Sequence, residues 1–174
     1  MKNAALVKAQ DRFMSQFVSN CSYALTIQTN LRTHNISQRT MEGYVGLAQN
    51  AMAEFRPKLN RMLTGNGYLR NPMYMPVLVC ALEGKLNTYD RGRTLHYHLA
   101  IGNFDRARID EGFLKQLAGH WIDTEVGTDD VLLVPMSAGH EAGWGHYINK
   151  EHRDGNEMCI DFVNTQMPAH LLAN

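Results

Sequence analysis

Residues 94–103 read TLHYHLAIGN, and their period-two alternation constrains this chain more than any other feature. Successive side chains of an extended strand point to opposite faces, so Leu95, Tyr97, Leu99 and Ile101 share one face and His96 and His98 the other. Four large apolar side chains in a row require cover from a second layer. The strand therefore belongs to a sheet with a packed core on one side and chemistry on the other. Residues 75–85 form a second β-rich run, and the polar stretch 86–93 between the two predicts a hairpin. Residues 23–29 (YALTIQT) repeat the alternation through Tyr23, Leu25 and Ile27.

Helical spacing replaces it over residues 37–63, where Met41, Tyr44, Val45, Ala48, Met52, Phe55, Leu59 and Met62 line one face. Ser37 is the expected N-cap and residues 65–67 (GNG) the stop; Pro57 predicts a kink or a split into two helices. Ile109, Phe113, Leu117 and Trp121 recur every four residues, a second helix. Short strands are expected at 131–134, closed by Pro135, and at 158–163. The order β-α-β-β-α-β predicts an α+β fold with a central antiparallel sheet, ferredoxin-like or RNA-recognition-like, followed by a C-terminal tyrosine-bearing segment. No linker or repeat divides the chain, so 1–174 is expected to form one domain.

At 174 residues the chain is long enough for its own core, and 44% hydrophobic with 20% charged content excludes a disordered or collagen-like chain. Its longest apolar run, 75–82, is far shorter than the roughly 20 residues that cross a bilayer, so no membrane partner is expected. Residues 1–13 lack an apolar signal-peptide core. Cys21, Cys80 and Cys159 are odd in number and set among apolar residues, which predicts buried free thiols and a cytoplasmic protein. Formal net charge is zero, yet the first 70 residues hold nine basic and three acidic side chains, and the rest eight and fourteen. Arg56, Lys58, Arg61 and Arg70 are the densest part of that excess and the candidate contacts to a polyanion.

Pairing Lys85 with Thr94 across the hairpin sets Glu83 opposite His96 and Leu82 opposite Tyr97. Glu83, His96 and His98 then share a face, a carboxylate–imidazole set suited to a divalent ion such as Mn²⁺ or Mg²⁺ that also binds phosphate oxygens. Further on, residues 143–150 read GWGHYINK. If this segment is helical, Trp144, Tyr147 and Lys150 share a face, with the ammonium one turn from the phenol. A nearby cation favours the phenolate, and a metal that polarises a phosphate lowers the barrier from the other side. The remaining histidines, His34, His120, His140, His146, His152 and His170, have no ligand-like spacing with the cluster.

The ordered set His96-Tyr97-His98 and, about 50 positions on, Tyr147-Ile148-Asn149-Lys150 resembles the HUH endonucleases, specifically the rolling-circle replication initiators with one catalytic tyrosine. Residues 24–29 are similar to the family's opening strand, and Glu83 matches the acidic residue that many members carry before the histidines. The resemblance implies metal-dependent, sequence-specific nicking and joining of single-stranded DNA at an origin hairpin of a plasmid or phage in a bacterial cytoplasm. It implies Tyr147 as the nucleophile that becomes joined to the 5′ phosphate, Lys150 as its assistant, and Glu83, His96 and His98 as ligands of Mn²⁺ or Mg²⁺. No phosphate-binding G-x-x-x-x-G-K-[ST] motif is present, so unwinding would fall to a separate helicase or to supercoiling. The alternatives are a single-tyrosine transposase of the same superfamily and a non-cutting DNA-binding accessory protein that kept the fold.

Overall fold

The computed structural model describes residues 4–85, 93–136, 151 and 159–172. Its framework is α+β. A helix, α1 (Ala4–Val18), precedes strand β1 (Cys21–Arg32); the long α2 (Gln38–Thr64) and the single-turn α3 (Gly67–Arg70) lead to β2 (Val77–Glu83) and β3 (Thr94–Gly102). Then come α4 (Phe113–Ile122), β4 (Gly127–Pro135) and a terminal turn, α5 (Ala169–Leu172). The four strands form one sheet in the order β2-β3-β1-β4, and every neighbouring pair is antiparallel.

The alternation on the strands builds two cores. Leu25 and Ile27 of β1, Leu78 and Leu82 of β2, and Tyr97 and Leu99 of β3 pack under Met52, Phe55 and Leu59 of α2 and Phe113, Leu117 and Trp121 of α4. On the reverse face Val77, Val79, Ala81 and Ala100 meet Phe17 and Val18 of α1 and the returning residues Cys159 and Ile160. Residues on that face are smaller, which lets the cover approach closely. All three cysteines are buried free thiols, as expected. No described helix is long and apolar enough to cross a membrane.

Four local expectations are adjusted. Ser37 does cap α2, its hydroxyl accepting from Thr40 N–H at 3.1 Å, but Pro57 does not split the helix, which runs unbroken to Thr64. Pro57 and Ala53, whose carbonyl loses its helical partner, both lie on the exposed side, where water takes the freed group. The second helix starts at Phe113 rather than Ile109. Asp105 and Asp110 accept from the N–H groups of Ala107 and Gly112 at 3.0 and 2.9 Å, and these short carboxylate turns hold the chain out of the helix. Of the strand expected at 158–163, the described residues make one antiparallel bridge on the outer edge of β2, Ala81 with Ile160; a second bridge, Leu78 with Gln166, lies beyond it. Between them the chain turns outward, Asp161 C=O accepting from Thr165 N–H at 2.8 Å. Helix α1 is not among the elements expected from the sequence.

Candidate metal centre

The hairpin register is the one the sequence predicts: Glu83 pairs with His96 and Leu82 with Tyr97. Parity then places Glu83, His96 and His98 together on the reverse face, away from α2 and α4. Glu83 and His98 are buried and His96 half-buried. One potential ligand atom from each lies within 4.8 Å of the other two, and this is the one such group among the described residues. Glu83 Oε2 stands 3.4 Å from His98 Nε2 and 3.8 Å from His96 Nε2. Ligands held about 2.1 Å from one ion at tetrahedral or octahedral angles are themselves ~3.0–3.4 Å apart, close to these spacings.

The imidazoles are aimed by their other nitrogens. His96 Nδ1 lies 3.1 Å from the carbonyl of Thr94, an acceptor only, so neutral His96 carries its proton on Nδ1 and turns the Nε2 lone pair to Glu83. His98 Nδ1 lies 2.9 Å from the hydroxyl of Thr26 on the neighbouring strand. The two rings meet edge to face, with centroids 4.9 Å apart at 88°, so neither swings freely. One carboxylate and two imidazoles with fixed outer partners make a donor set that fits a divalent metal ion.

The surroundings of Glu83 are built by residues that the sequence did not flag. Gly84 has φ +99°, and a side chain there would collide with the Thr94 carbonyl, so glycine is required where the chain leaves the ligand. The buried carboxylate of Glu151 accepts from Gly84 N–H at 2.8 Å, and Arg93 Nη1 lies 3.7 Å from it. Burial pulls Lys85 below its usual value, opposed by the negative groups around it, Glu151 among them. None of this carries a local motif, because Glu151 meets β2 only through the chain's long-range return.

Behind the histidines, on the helix-covered face, Tyr97 donates its hydroxyl to Asp161 Oδ2 at 2.7 Å. Asn164 donates to the same carboxylate from its side chain at 2.7 Å and from its backbone at 3.2 Å. Burial and the Asp161 charge hold the Tyr97 phenol far above the ordinary tyrosine range, so it stays a neutral donor.

The predicted basic residues are not brought to the cluster. Arg56, Lys58 and Arg61 belong to α2, which covers the opposite face of the sheet. Arg56 donates to Val163 C=O at 3.2 Å, Lys58 pairs with Glu54 at 3.1 Å, and Arg61 donates to Asn66 at 3.2 Å. Arg70 is exposed on α3. Tyr147 and Lys150 fall outside the described residues, as does the loop 86–92. Comparisons with protein-family models, with curated proteins and with solved structures return no match to this chain.

Proposed function

We propose that this chain is a metal-dependent nicking and joining endonuclease for single-stranded DNA, of the rolling-circle initiator type within the HUH endonucleases. The observation that carries this reading is the meeting of Glu83, His96 and His98 at one point on the sheet, in the predicted register. The strand order β2-β3-β1-β4 agrees with a ferredoxin-like sheet, which supports the same reading. Glu151 adds a connection: its backbone is four residues after Tyr147, and its side chain is bound to the residue that follows Glu83.

In this reading Glu83, His96 and His98 would hold Mn²⁺ or Mg²⁺, which would supply positive charge to offset the charge of the scissile phosphate. The Tyr147 oxygen forms a bond to phosphorus as the P–O3′ bond breaks; the phenol's proton goes to solvent and the departing 3′ oxygen takes one up. The 5′-phosphotyrosine keeps the bond energy, so attack by a 3′ hydroxyl rejoins the strand without ATP. Lys150 favours the phenolate and offsets phosphate repulsion. Arg56, Lys58, Arg61 and Arg70 enter only as contacts to DNA that passes beyond the sheet, away from the reacting phosphate.

The test is mass spectrometry of the chain incubated with single-stranded origin-hairpin DNA and Mn²⁺. An oligonucleotide adduct on Tyr147, absent from Tyr147→Phe although that variant still binds metal and DNA, is the expected outcome. Cleavage by Tyr147→Phe at the wild-type rate, or an adduct elsewhere, would overturn it.

A further inference from the structure

The two edges of the sheet are treated differently. The outer edge of β2 is covered by the returning chain: Leu78 N–H donates to Gln166 C=O at 2.9 Å, Leu82 N–H to Cys159 C=O at 2.7 Å, and Cys80 N–H to the Thr165 hydroxyl at 3.1 Å. The outer edge of β4 makes no hydrogen bond with any described residue. Hydrogen-bond parity identifies which groups it presents. Met136 N–H donates to Ser22 C=O, and Val134 and Leu132 pair with Ala24 and Thr26, so the even residues bond inward to β1. Val131 and Leu133 therefore turn their N–H and C=O groups outward. Pro135, which has no N–H, shares that outward parity, the place where an edge strand tolerates proline.

The side chains match. Leu132 is 58% exposed and Val134 44% exposed, an apolar pair on the face that carries His98, with Thr26 between Leu132 and the histidine in the strand ladder. No lysine or arginine guards this strand, which reads GTDDVLLVP. Natural edge strands are commonly blunted by charges and proline; here these are confined to Asp129 and Asp130 at one end and Pro135 at the other, and the outward groups of Val131 and Leu133 between them form the pairing surface.

We propose that β4 pairs antiparallel with β4 of a second copy of this chain, about a two-fold axis at Leu132. The strand is self-complementary in that register. Val131 and Leu133 exchange hydrogen bonds with Leu133 and Val131 of the second copy. Leu132 lies opposite its own counterpart, and Val134 extends the apolar stripe on both sides. The only charges, Asp129 and Asp130, fall opposite Pro135 and Val134 rather than opposite another carboxylate. An unrelated strand has no reason to satisfy all of these matches, so the second copy is the occupant. The two-fold axis is normal to the sheet, so both Glu83–His96–His98 clusters face the same side of one eight-stranded sheet. Five inter-strand steps of ~4.8 Å separate the two β3 strands, about 24 Å. A strand pair with four aliphatic side chains buries less than the roughly 1,200 Å² of a standard stable interface, so dissociation in the micromolar range is expected.

This inference does not depend on the proposed nuclease chemistry, and its test uses no DNA. Sedimentation velocity over a concentration series should show wild-type chain passing from monomer to dimer. The double variant Leu132→Lys, Val134→Lys, altered only at exposed positions, should remain monomeric with an unchanged circular dichroism spectrum. Amide exchange by NMR should slow at Val131 and Leu133 as the dimer forms. A wild-type chain that stays monomeric into the high micromolar range would overturn the proposal. So would a dimer that the double variant forms equally well while the Val131 and Leu133 amides still exchange fast.

Discussion

Thr26→Val isolates the aiming of His98 from its presence. Valine has nearly the shape of threonine and suits a half-buried strand position, so the substitution exchanges one hydroxyl for one methyl. The hydroxyl lies 2.9 Å from His98 Nδ1. Its loss removes a hydrogen bond worth about 1 kcal/mol and leaves Nδ1 facing hydrocarbon. Partners of metal-bound histidines contribute roughly 10- to 100-fold in metal affinity, or ~1.4–2.7 kcal/mol. His98 is buried and wedged edge-on against His96, so its ring has little room to turn away, which places the effect at the lower end. Calorimetric titration with Mn²⁺ should therefore show about tenfold weaker binding for Thr26→Val. His98→Ala should lose binding far more severely. Urea unfolding of Thr26→Val without metal should shift by about 1–3 kcal/mol, because buried Nδ1 loses its partner. Affinity within twofold of wild type, in a folded Thr26→Val protein, would refute the claim that this hydroxyl orients the ligand.

Tyr97→Phe deletes one of the hydrogen bonds to the buried Asp161 carboxylate and keeps the ring in the core; it should lower unfolding free energy by ~1.5–3 kcal/mol in urea titrations, the range for a bond to a charged partner. The three buried thiols should resist a thiol-specific reagent in native buffer and react together on unfolding. Burial pushes the Cys21 thiol from 9.0 up to about 12. The unfolded thiol releases its proton first, so its share of stability is complete below pH 9 and is lost as pH rises from there towards 12. Urea midpoints followed through that window should fall less steeply for Cys21→Ser than for wild type.

The Glu83–His96–His98 cluster was legible because its evidence is local. Two histidines one residue apart must share a strand face, and a short hairpin leaves few registers, so Glu83 followed from Lys85 opposite Thr94. Helix α2 was legible through its Ser37 cap and its apolar stripe. The partners added by distant chain were not. Thr26 reaches His98 through the β1–β3 register, and Glu151 reaches Gly84 across 67 positions, with no spacing rule to announce either. The face on which the basic residues lie was not legible either. The basic excess of the first 70 residues is real, but α2 is amphipathic and its apolar stripe must cover the large side chains of the sheet. Those side chains are on the face opposite the histidines, because parity on β3 assigns Leu95, Tyr97 and Leu99 to one side and His96 and His98 to the other. The alternation that reveals the ligands thus also sends the basic helix to the far side.

Tyr97 joins these two faces. It sits between the two histidines in sequence and points through the sheet in the opposite direction, into the helix-covered core. Its hydroxyl ends on Asp161, which Asn164 holds from two directions, and Asn164 in turn donates to Gln49 C=O of α2 at 3.0 Å. The strand segment that displays the ligands is thus tied to α2 and to the returning chain by charge-assisted hydrogen bonds rather than by apolar contact alone. Apolar contacts permit small slides at little cost, whereas a buried carboxylate with three donors tolerates almost none. A donor set that fits a metal ion needs its side chains held to within about half an ångström, and this tie on the far side of the sheet restrains the strand segment that carries them.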